Sequence, residues 1–448
     1  MSRNIRIRGN SKVIGTVQVP GDKSISHRVA MLASIAEGCS TIQGFASSAD
    51  CHATLDCIKK LGIAVVENNQ TIEIHGRGLR GYQPAKLPVE LFVGNSGSTI
   101  RMLSGILAGQ NFQSIVDGDA SIRRRPMKRI IEPLTLMGAT ITATEGNFAP
   151  LTIHGNRLRP IDYHTPVASA QVKTCVLFAG IFADGETTVS EPELSRNHSE
   201  LMLKEFGAKI ETLRATNKIS IQGQVELHPV AYQVPGDVSS AAFLIAAALL
   251  LPDSQLLIKN INLNPTRTAF LNVLENLGAT IIRENITLRH MEPVGDLRIF
   301  FSELKTEKEG MVLSGDIIPN LIDEIPILAV IATQIAGRLK IRDARELRIK
   351  ESDRLKTVTE GLRAMGVEVD EFEDGLAISG KQTLKAAKIH SEGDHRIAMA
   401  FTIAGLLASG ETEIIGADCA AVSFPEFYEL LTELCGEGTI IENPRNEK

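Results

Sequence analysis

A short segment near the start of the sequence gathers side chains that could bind an anion. The segment VPGDKSISHR, residues 19–28, places Lys23, Ser24 and Arg28 after a Pro-Gly turn and directly before the apolar run VAMLASIA. The apolar run predicts a buried helix, so these polar residues fall on its first turn, where free N–H groups and the helix dipole favour negative charge. A helix cap beside a solvated basic turn explains one such segment equally well. The interpretation as an anion site therefore depends on whether the arrangement recurs.

Five further apolar runs, most of them rich in alanine, start in the same way. Their polar starts contain Ser96, Gly97 and Arg101; Ser169, Gln171 and Lys173; Asp237, Ser239 and Ser240; Asp323 and Glu324; and Asp394, His395 and Arg396. A charged residue at the mouth of a buried helix is costly unless it meets a ligand or a partner. Chance capping explains six such starts poorly, so we predict a shared ligand site. The first half of the chain supplies donors and cations to it, and the second half adds carboxylates.

Two clusters outside the helix starts add further cations. The segment GDASIRRRPMKR contains three consecutive arginines, and ELRIKESDRLK places Lys350, Glu351 and Arg354 within one predicted helical turn. Either cluster alone is typical of a solvated helical face. Combined with the helix starts, they predict that several anionic groups bind at once, since Arg forks suit carboxylate and phosphate. The sequence has no Walker A loop, no dinucleotide glycine fingerprint and no His-Cys set at metal-ligand spacing, so we expect no cofactor and no metal.

Length and composition limit the class of protein. The 448 residues are 43% hydrophobic and 22% charged, with a net charge of −6, which argues against general binding to nucleic acid or to a membrane surface. The six cysteines are scattered, which is typical of free thiols. The N-terminus lacks the apolar core of a signal peptide, and the longest apolar run, AAFLIAAALLL, is too short to span a bilayer. We expect a cytoplasmic protein with small-molecule partners.

Internal repeats define the predicted fold. Helical stretches end at Gly62, Gly138, Gly207, Gly278, Gly366 and Gly436, and a β-run, a polar turn and a second β-run follow most of these glycines. Together with the six apolar helices they predict six β-α-β-α-β-β units. Three such units can enclose their small-residue helices inside a ring of sheets, which gives an α/β fold of two domains, each an inside-out barrel.

The two ends of the chain predict how the domains are divided. The last repeat has no closing hairpin, whereas the chain begins with two orphan strands, RNIRIRG and VIGTVQVPG, that could complete it. Domain one would then span residues 21–235, and domain two would combine residues 1–20 with 236–448. The crossings fall at the two VPGD segments, at Val19 and Val234, and two such connections predict a hinge beside a cleft.

Eleven ordered motifs resemble those of the 5-enolpyruvylshikimate-3-phosphate synthase family. They are VPGDKSISHR, GNSGSTIR, GDASIRRRPM, VASAQVK, LSRNH, VPGDVSSAAF, NPTRT, IDEIPILAV, LRIKESDR, GDHRIAMAF and SFPEF, and they cover essentially the whole chain. The resemblance implies a two-domain inside-out α/β barrel. It also implies transfer of the enolpyruvyl group of phosphoenolpyruvate to the 5-hydroxyl of shikimate 3-phosphate in a closed interdomain cleft, without a metal. In this family the herbicide glyphosate competes with phosphoenolpyruvate.

The resemblance also implies roles for individual residues. Phosphoenolpyruvate would be held by Lys23, Arg125, Arg354 and Arg396, with Gly97 and Gln171 lining its pocket. Shikimate 3-phosphate would be held by Ser24, Arg28, Ser169, Ala170, Gln171, Arg196 and Lys350. Asp323 resembles the group that takes the proton of the attacking hydroxyl, and Glu351 resembles the acid that protonates the methylene carbon. Lys23 would act with both in catalysis.

Two departures and two alternatives accompany this resemblance. Many members of the family have a lysine where this chain has Val422, and alanine is commoner than Ser96. The sugar-nucleotide enolpyruvyl transferases, which act on UDP-N-acetylglucosamine, share the fold, but they have asparagine after the first lysine and use a loop cysteine as acid. A non-enzymatic anion-binding module would not need Asp323 and Glu351. We expect the synthase activity, in a monomer.

Overall fold

A computed structural model of the chain describes residues 3–9, 12–68 and 70–442. These residues form twenty-four strands: β1 Ile5–Arg8, β2 Ile14–Val17, β3 Glu37–Gln43, β4 Ala64–Asn68, β5 Thr71–Arg77, β6 Val89–Phe92, β7 Gln113–Asp117, β8 Thr140–Thr144, β9 Phe148–His154, β10 Asp162–His164, β11 Glu186–Ser190, β12 Ile210–Leu213, β13 Lys218–Gln222, β14 Ala231–Gln233, β15 Gln255–Asn262, β16 Thr280–Arg289, β17 Glu292–Phe300, β18 Met311–Leu313, β19 Arg338–Ile341, β20 Val369–Phe372, β21 Gly375–Ser379, β22 Lys388–His390, β23 Glu411–Ile415 and β24 Ile440–Glu442.

The same residues form fourteen α-helices: α1 Lys23–Ile35, α2 Ala49–Lys60, α3 Gly97–Ala108, α4 Ala120–Arg123, α5 Lys128–Met137, α6 Ala170–Gly180, α7 His198–Glu205, α8 Val238–Leu250, α9 Ala269–Asn276, α10 Ile318–Leu321, α11 Ile325–Ala332, α12 Arg354–Ala364, α13 His395–Leu407 and α14 Phe427–Cys435. Short 3-10 helices lie at Arg214–Thr216, Gly315–Ile317, Arg345–Ile349 and Ala417–Val422. Within the described ranges, every helix is too short or too polar to cross a membrane.

The strands form six four-stranded sheets, which confirms the predicted mixed α/β class. Their orders are β14-β3-β5-β4, β6-β7-β9-β8, β10-β11-β13-β12, β16-β17-β15-β2, β18-β19-β21-β20 and β22-β23-β1-β24. The six glycines predicted to end helices all have positive φ, from 85° at Gly366 to 108° at Gly138. An L-residue adopts this left-handed conformation only under strain, so the glycine signal in the sequence was a reliable helix stop.

The prediction that both N-terminal strands complete the last repeat is only half correct. Strand β1 pairs with β23 and β24 in the sixth sheet, as predicted. Strand β2 instead pairs in parallel with β15, from the fourth repeat, with Ile14 opposite Gln255 and Val17 opposite Ile258. The Val13 N–H donates to Ser254 Oγ at 2.9 Å and fixes this register. β2 thus occupies in the fourth sheet the place that β14 holds beside β3 in the first.

Contacts divide the chain into two compact units. The N-terminal unit comprises residues 21–235 and 289–292, and the C-terminal unit comprises residues 1–20, 236–288 and 293–448. The predicted division assigned residues 289–292 to the other unit. The His290 ring stacks on Tyr232 with 3.9 Å between the ring centroids, and Glu292 lies 2.9 Å from His198 Nδ1. Both partners lie in the N-terminal unit, which explains the assignment.

Each unit packs its sheets around three buried helices. In the N-terminal unit these are α1, α3 and α6, and in the C-terminal unit they are α8, α11 and α13. Small residues let the helix backbones approach closely: a Cβ atom at Gly105 of α3 would lie 2.2 Å from the Cys175 carbonyl oxygen of α6. The polar starts of these six helices are the segments that the sequence analysis selected.

Candidate active site

Capping accounts for part of the polarity at the helix starts. The side chains of Asp22, Ser96, Ser169, Asp237 and Asp394 each accept a backbone N–H at the start of their helix. Glu324, at the start of α11, makes no such bond. The capping alternative is therefore correct for these five side chains. Capping does not explain the cations and the other carboxylates that lie beside these side chains.

Lys23 begins α1 with its ammonium group close to a carboxylate. Its Nζ lies 3.0 Å from Asp50 Oδ2, at the start of α2, and both side chains are mostly buried. The Asp50 carboxylate holds the Lys23 side chain at the helix mouth and balances its charge. An incoming anion would therefore compete with Asp50 for this ammonium group.

Arg28 ties the first helix of the N-terminal unit to two others. Its guanidinium donates to Ser199 Oγ at 2.7 Å, to Thr174 Oγ1 at 3.0 Å and to the Ser24 carbonyl oxygen at 2.8 Å. Arg196 Nη1 approaches Ser24 Oγ at 3.4 Å. Three of the residues that the sequence analysis assigned to shikimate 3-phosphate, Ser24, Arg28 and Arg196, therefore lie together at the start of α1.

Lys173 does not face a ligand, contrary to the interpretation of the third helix start. Its side chain is completely buried, with Nζ 2.9 Å from Glu191 and 2.8 Å from Glu200. Burial alone lowers the pKa of Lys173, but the negative charges of Glu200 and Glu191 raise it by more. The pKa of Lys173 therefore lies above its ordinary value. Because α6 is packed on every side after its first turn, a side chain one turn into the helix points into protein.

Glu191 is a functional candidate that the sequence analysis missed. Its carboxylate accepts the Ser169 N–H at 3.0 Å, the Ser195 N–H at 3.2 Å and the Ser195 hydroxyl at 2.8 Å. One buried carboxylate therefore fixes both the cap of α6 and the loop that carries Arg196. The sequence offered only a weak signal: Glu191 begins the segment EPELSRNH, which contains the motif LSRNH, but no spacing pairs it with Lys173.

The start of α3 brings two arginines against a glycine. A Cβ atom at Gly97 would lie 2.9 Å from Arg125 Nη1 and 3.1 Å from Arg101 Nη1. Arg101 donates to Gln171 Oε1 at 2.7 Å, and Gln171 donates to Ser98 Oγ at 3.1 Å. Gly97 therefore leaves space for the two guanidinium groups beside the helix start.

Only one of the three consecutive arginines is buried. Arg125 is almost fully enclosed, whereas Arg123 and Arg124 are exposed. Arg123 forms an ion pair with Asp117, whose pKa it lowers. The interpretation as a solvated face is thus correct for Arg123 and Arg124 but not for Arg125.

In the C-terminal unit, Arg354 forms the centre of a carboxylate cluster. Its side chain is 1% exposed, with Nε 2.8 Å from Asp394 Oδ2, Nη2 2.6 Å from Glu351 Oε2 and Nη1 3.5 Å from Asp323 Oδ1. Burial lowers the pKa of Arg354, but Asp394 and Glu351 raise it more strongly, so the guanidinium stays charged. One fixed cation therefore orients three carboxylates.

Arg396, in the first turn of α13, reaches the same cluster. Arg396 Nη1 donates to the Asp323 carbonyl oxygen at 3.0 Å, and Nη2 lies 3.6 Å from Asp323 Oδ2. Lys350 lies close enough for Asp323 to act on its pKa, which burial lowers and Asp323 partly restores. Asp394, which also caps α13, is the member of this cluster to which the family resemblance assigned no role.

The spacing predicted that Lys350, Glu351 and Arg354 share one helical turn, and this prediction is wrong. A 3-10 helix ends at Ile349, Lys350 has a non-helical backbone at φ −82° and ψ −149°, and α12 begins at Arg354. The Asp353 carboxylate accepts the Lys356 N–H at 3.1 Å and so starts the helix later. The side chains of Glu351 and Arg354 still meet because the chain turns between them.

Fold and site together define a class of protein: a six-repeat α/β protein that presents cations and carboxylates at buried helix starts. The EPSP synthase (3-phosphoshikimate 1-carboxyvinyltransferase) family profile matches residues 7–431. A 3-phosphoshikimate 1-carboxyvinyltransferase of Solibacter usitatus is 50% identical over 430 residues, which cover 96% of this chain and 99% of that protein. The enzyme of the same name from Thermoanaerobacter sp. is 46% identical over 95% of this chain and 99% of that protein.

A solved structure agrees with these relatives. The EPSP synthase of Acinetobacter baumannii superposes with a TM-score of 0.86 at 40% identity, covering 99% of this chain and 100% of that one. The chain therefore belongs to the EPSP synthase family.

Proposed function

We propose that this chain transfers the enolpyruvyl group of phosphoenolpyruvate to the 5-hydroxyl of shikimate 3-phosphate and releases phosphate, in the pathway to chorismate and the aromatic amino acids. Membership of the EPSP synthase family supports this activity. The observation that carries the proposal to this chain's own residues is the cluster in which Arg354 orients Asp323 and Glu351. An anion-binding module without catalysis would have no use for two oriented, partly exposed carboxylates.

The phosphoenolpyruvate set consists of cations that lie at or beside helix starts. Lys23, Arg125, Arg354 and Arg396 bind its phosphate and carboxylate groups, and Gly97 and Gln171 line the pocket. The close approach of Arg125 to Gly97 supports this grouping. These cations balance the charge that develops on the leaving phosphate, which is the usual electrostatic contribution to such a reaction. Lys23 adds its ammonium group from the start of α1.

The shikimate 3-phosphate set lies around α1 and α6, with Lys350 added from the C-terminal unit. Its members are Ser24, Arg28, Ser169, Ala170, Gln171, Arg196 and Lys350. Arg28 already donates to the Ser24 and Ala170 carbonyl oxygens, so it orders the backbone of both helix starts. We therefore assign Arg28 a positioning role in addition to any contact with the ligand.

The chemistry proceeds by addition and elimination. Asp323 accepts the proton of the 5-hydroxyl as its oxygen bonds to C2 of phosphoenolpyruvate, and Glu351 gives a proton to C3, which becomes a methyl group. The product of this addition is a tetrahedral intermediate that keeps the phosphate. Glu351 then removes a proton from the methyl group, the C–O bond to phosphate breaks, and the enol double bond forms again. Arg354 holds both carboxylates in place throughout.

The sugar-nucleotide enolpyruvyl transferases are the second candidate, and the residues argue against it. Ser24, not asparagine, follows Lys23. All six cysteines lie in helices or strands, so a loop cysteine that could act as the acid is absent from the described chain. Burial also raises the pKa of Cys435 to about 12, which keeps this thiol a poor proton exchanger. We further propose that the enzyme is a cytoplasmic monomer and that glyphosate inhibits it.

A coupled assay separates the two activities. The full chain is mixed with shikimate 3-phosphate and phosphoenolpyruvate, and inorganic phosphate is measured; UDP-N-acetylglucosamine then replaces shikimate 3-phosphate. We expect phosphate release with the first acceptor only. Release only with the sugar nucleotide, or with neither acceptor, would overturn the proposal.

A further inference from the structure

A second group of reactive side chains lies on the sheet β14-β3-β5-β4 and takes no part in the proposed reaction. Cys39 on β3 stands directly opposite His75 on β5 in the antiparallel register, and Glu73 precedes His75 by two residues on the same face. Cys39 Sγ lies 3.9 Å from His75 Nε2, which lies 3.9 Å from Glu73 Oε2. The three ligating atoms all lie within 4.8 Å of one another.

We propose that Cys39, Glu73 and His75 bind a divalent transition metal of the zinc class, with water as the fourth ligand. A thiolate, an imidazole and a carboxylate are the ligands that zinc takes in proteins, and a site with three protein ligands keeps one open position. Metal–ligand bonds of 2.0–2.3 Å in a tetrahedron place ligand atoms about 3.3–3.7 Å apart. The two separations from His75 Nε2, 3.9 Å each, exceed this by a few tenths of an ångström, and the separation of Cys39 Sγ from the Glu73 carboxylate is within 4.8 Å. Side-chain rotation can close these gaps.

The sheet holds the ligands in register before any metal arrives. β3 and β5 are the two central strands of their sheet, so seven consecutive residue pairs, from Glu37 opposite Arg77 to Gln43 opposite Thr71, fix their relative position. Cys39 and His75 are exposed and Glu73 is partly exposed, so a metal ion can enter directly from solvent. Only side-chain rotamers must be ordered on binding, which keeps the entropic cost small.

Metal binding replaces a proton. Cys39 is a free cysteine, and only the thiolate form of a cysteine ligates a metal. When the metal binds, the S–H bond breaks, the metal–sulfur bond forms and one proton passes to the solvent buffer. No oxidant or reductant is needed, because zinc keeps its oxidation state.

The neighbouring repeat provides an internal control. His154 holds the place of His75 at the end of β9, also directly before a glycine. Its partner across the register is Gln113, and Thr152 stands where Glu73 stands in the first sheet. The second sheet therefore presents the same histidine without the thiolate and the carboxylate, and we expect no metal to bind there.

Cobalt(II) is the probe, because its bond to a thiolate gives a charge-transfer absorption that an imidazole or a carboxylate does not give. Untagged full-length protein, freed of metal with a chelator, is titrated with Co²⁺ and then with Zn²⁺ in competition. We expect a thiolate band from wild type and from His154→Ala. Cys39→Ser should lose the band, and His75→Ala should bind at least about 10-fold more weakly, since even outer partners of metal ligands act on that scale.

A transplant gives the converse test. Gln113→Cys together with Thr152→Glu, in the Cys39→Ser background, should restore the thiolate band at the second sheet. All variants should retain phosphate release, which shows that they are folded. A band that persists in Cys39→Ser alone, equal binding by all the proteins, or the lack of a band in wild type would each overturn the proposal.

Discussion

Each unit contains a cluster in which carboxylates surround a buried cation, Lys173 in the N-terminal unit and Arg354 in the C-terminal unit, and the two clusters differ in the exposure of their carboxylates. In the N-terminal unit, Lys173 is 0% exposed and its partners Glu191 and Glu200 are at most 6% exposed. In the C-terminal unit, Arg354 is 1% exposed and its partner Asp394 is fully enclosed, but its partners Glu351 and Asp323 keep 21% and 18% exposure. A carboxylate enclosed by protein can only hold other groups in place, whereas a partly exposed one can exchange a proton with a ligand.

The difference shows that buried charge serves two purposes in one chain. Glu191 uses its oxygens on backbone N–H groups and a hydroxyl, and so positions Ser169 and the Arg196 loop. Glu351 accepts a hydrogen bond from Arg354 at 2.6 Å and keeps 21% of its side chain exposed. We therefore expect that mutation of the first cluster changes stability and substrate affinity. Mutation of the second should change turnover.

The largest effect is expected for Glu351→Gln. The substitution keeps the size and an oxygen for Arg354 but removes the proton carrier, so turnover should fall by about two to four orders of magnitude. Both substrates should still bind, as equilibrium dialysis can measure. Glu360→Gln, on the exposed face of α12, is the matched control and should keep wild-type turnover. Full turnover in Glu351→Gln would show that another group is the acid.

Glu191→Gln should act through structure. It leaves Lys173 with one carboxylate fewer in a fully buried site, and breaking such a pair costs about 3–5 kcal/mol of unfolding free energy. Misplacement of Ser169 and the Arg196 loop should raise KM for shikimate 3-phosphate by up to about 100-fold. Denaturant unfolding and steady-state kinetics measure the two quantities.

The exposed Glu186→Gln on β11 is the control for Glu191→Gln and should change neither stability nor KM. A stable Glu191→Gln variant in which kcat falls while KM is unchanged would contradict the division of roles between the two clusters.

Gly97→Ala should separate the two competing ligands. The added methyl group would lie 2.9 Å from Arg125 Nη1, so the guanidinium must shift and the pocket beside α3 narrows. Glyphosate is the longer molecule, so the narrower pocket should weaken its binding more than the binding of phosphoenolpyruvate. The ratio of the glyphosate inhibition constant to KM for phosphoenolpyruvate should rise by about 5- to 150-fold, a difference in binding free energy of about 1–3 kcal/mol. Equal losses for both ligands would remove Gly97 from that end of the pocket.

The two lysines of the clusters should respond differently to pH. Enclosure by Glu200 and Glu191 raises the pKa of Lys173, whereas burial lowers the pKa of Lys350 from 10.5. In the free enzyme, Lys350 should therefore lose its positive charge at a pH below 10.5. Affinity for shikimate 3-phosphate should fall over the same pH range. Lys350→Arg should move this alkaline limb of kcat/KM to higher pH. An unmoved limb would assign it to another group.

Local signals in the sequence predicted the fold better than the register of its strands. The structure confirms the six helix-ending glycines, which follow from residue type and spacing. Five helix starts also have a capping side chain, the alternative that the sequence analysis had set aside in favour of a ligand site. The pairing of β2 with β15 depends on a partner more than two hundred residues away, which no local pattern encodes. Several strands of similar sequence could pair with β2, and the pairing is set by long-range packing. The sequence-based assignment of β2 to the last repeat was therefore wrong.

The site could be predicted as a set of residues but not as a geometry. Cations and carboxylates at six helix starts indicated anion binding, and the family motifs supplied roles for them. The depth of Lys173 in α6 and the positioning role of Glu191 were not predictable, because both depend on which neighbour encloses the side chain. The late start of α12 followed from the Asp353 cap, a signal that was present in the sequence but outweighed by the spacing of Lys350 and Arg354.

In the proposed reaction, Glu351 gives a proton to C3 and later removes one, and the intermediate between the two steps carries a methyl group. Running the reaction of wild-type protein in D₂O and measuring the product by mass spectrometry and NMR tests this most directly. We expect deuterium at the methylene carbon of the product enolpyruvyl group, since the deuteron from Glu351 becomes one of three methyl hydrogens before elimination. Product formed at the normal rate with no deuterium at that carbon would contradict it.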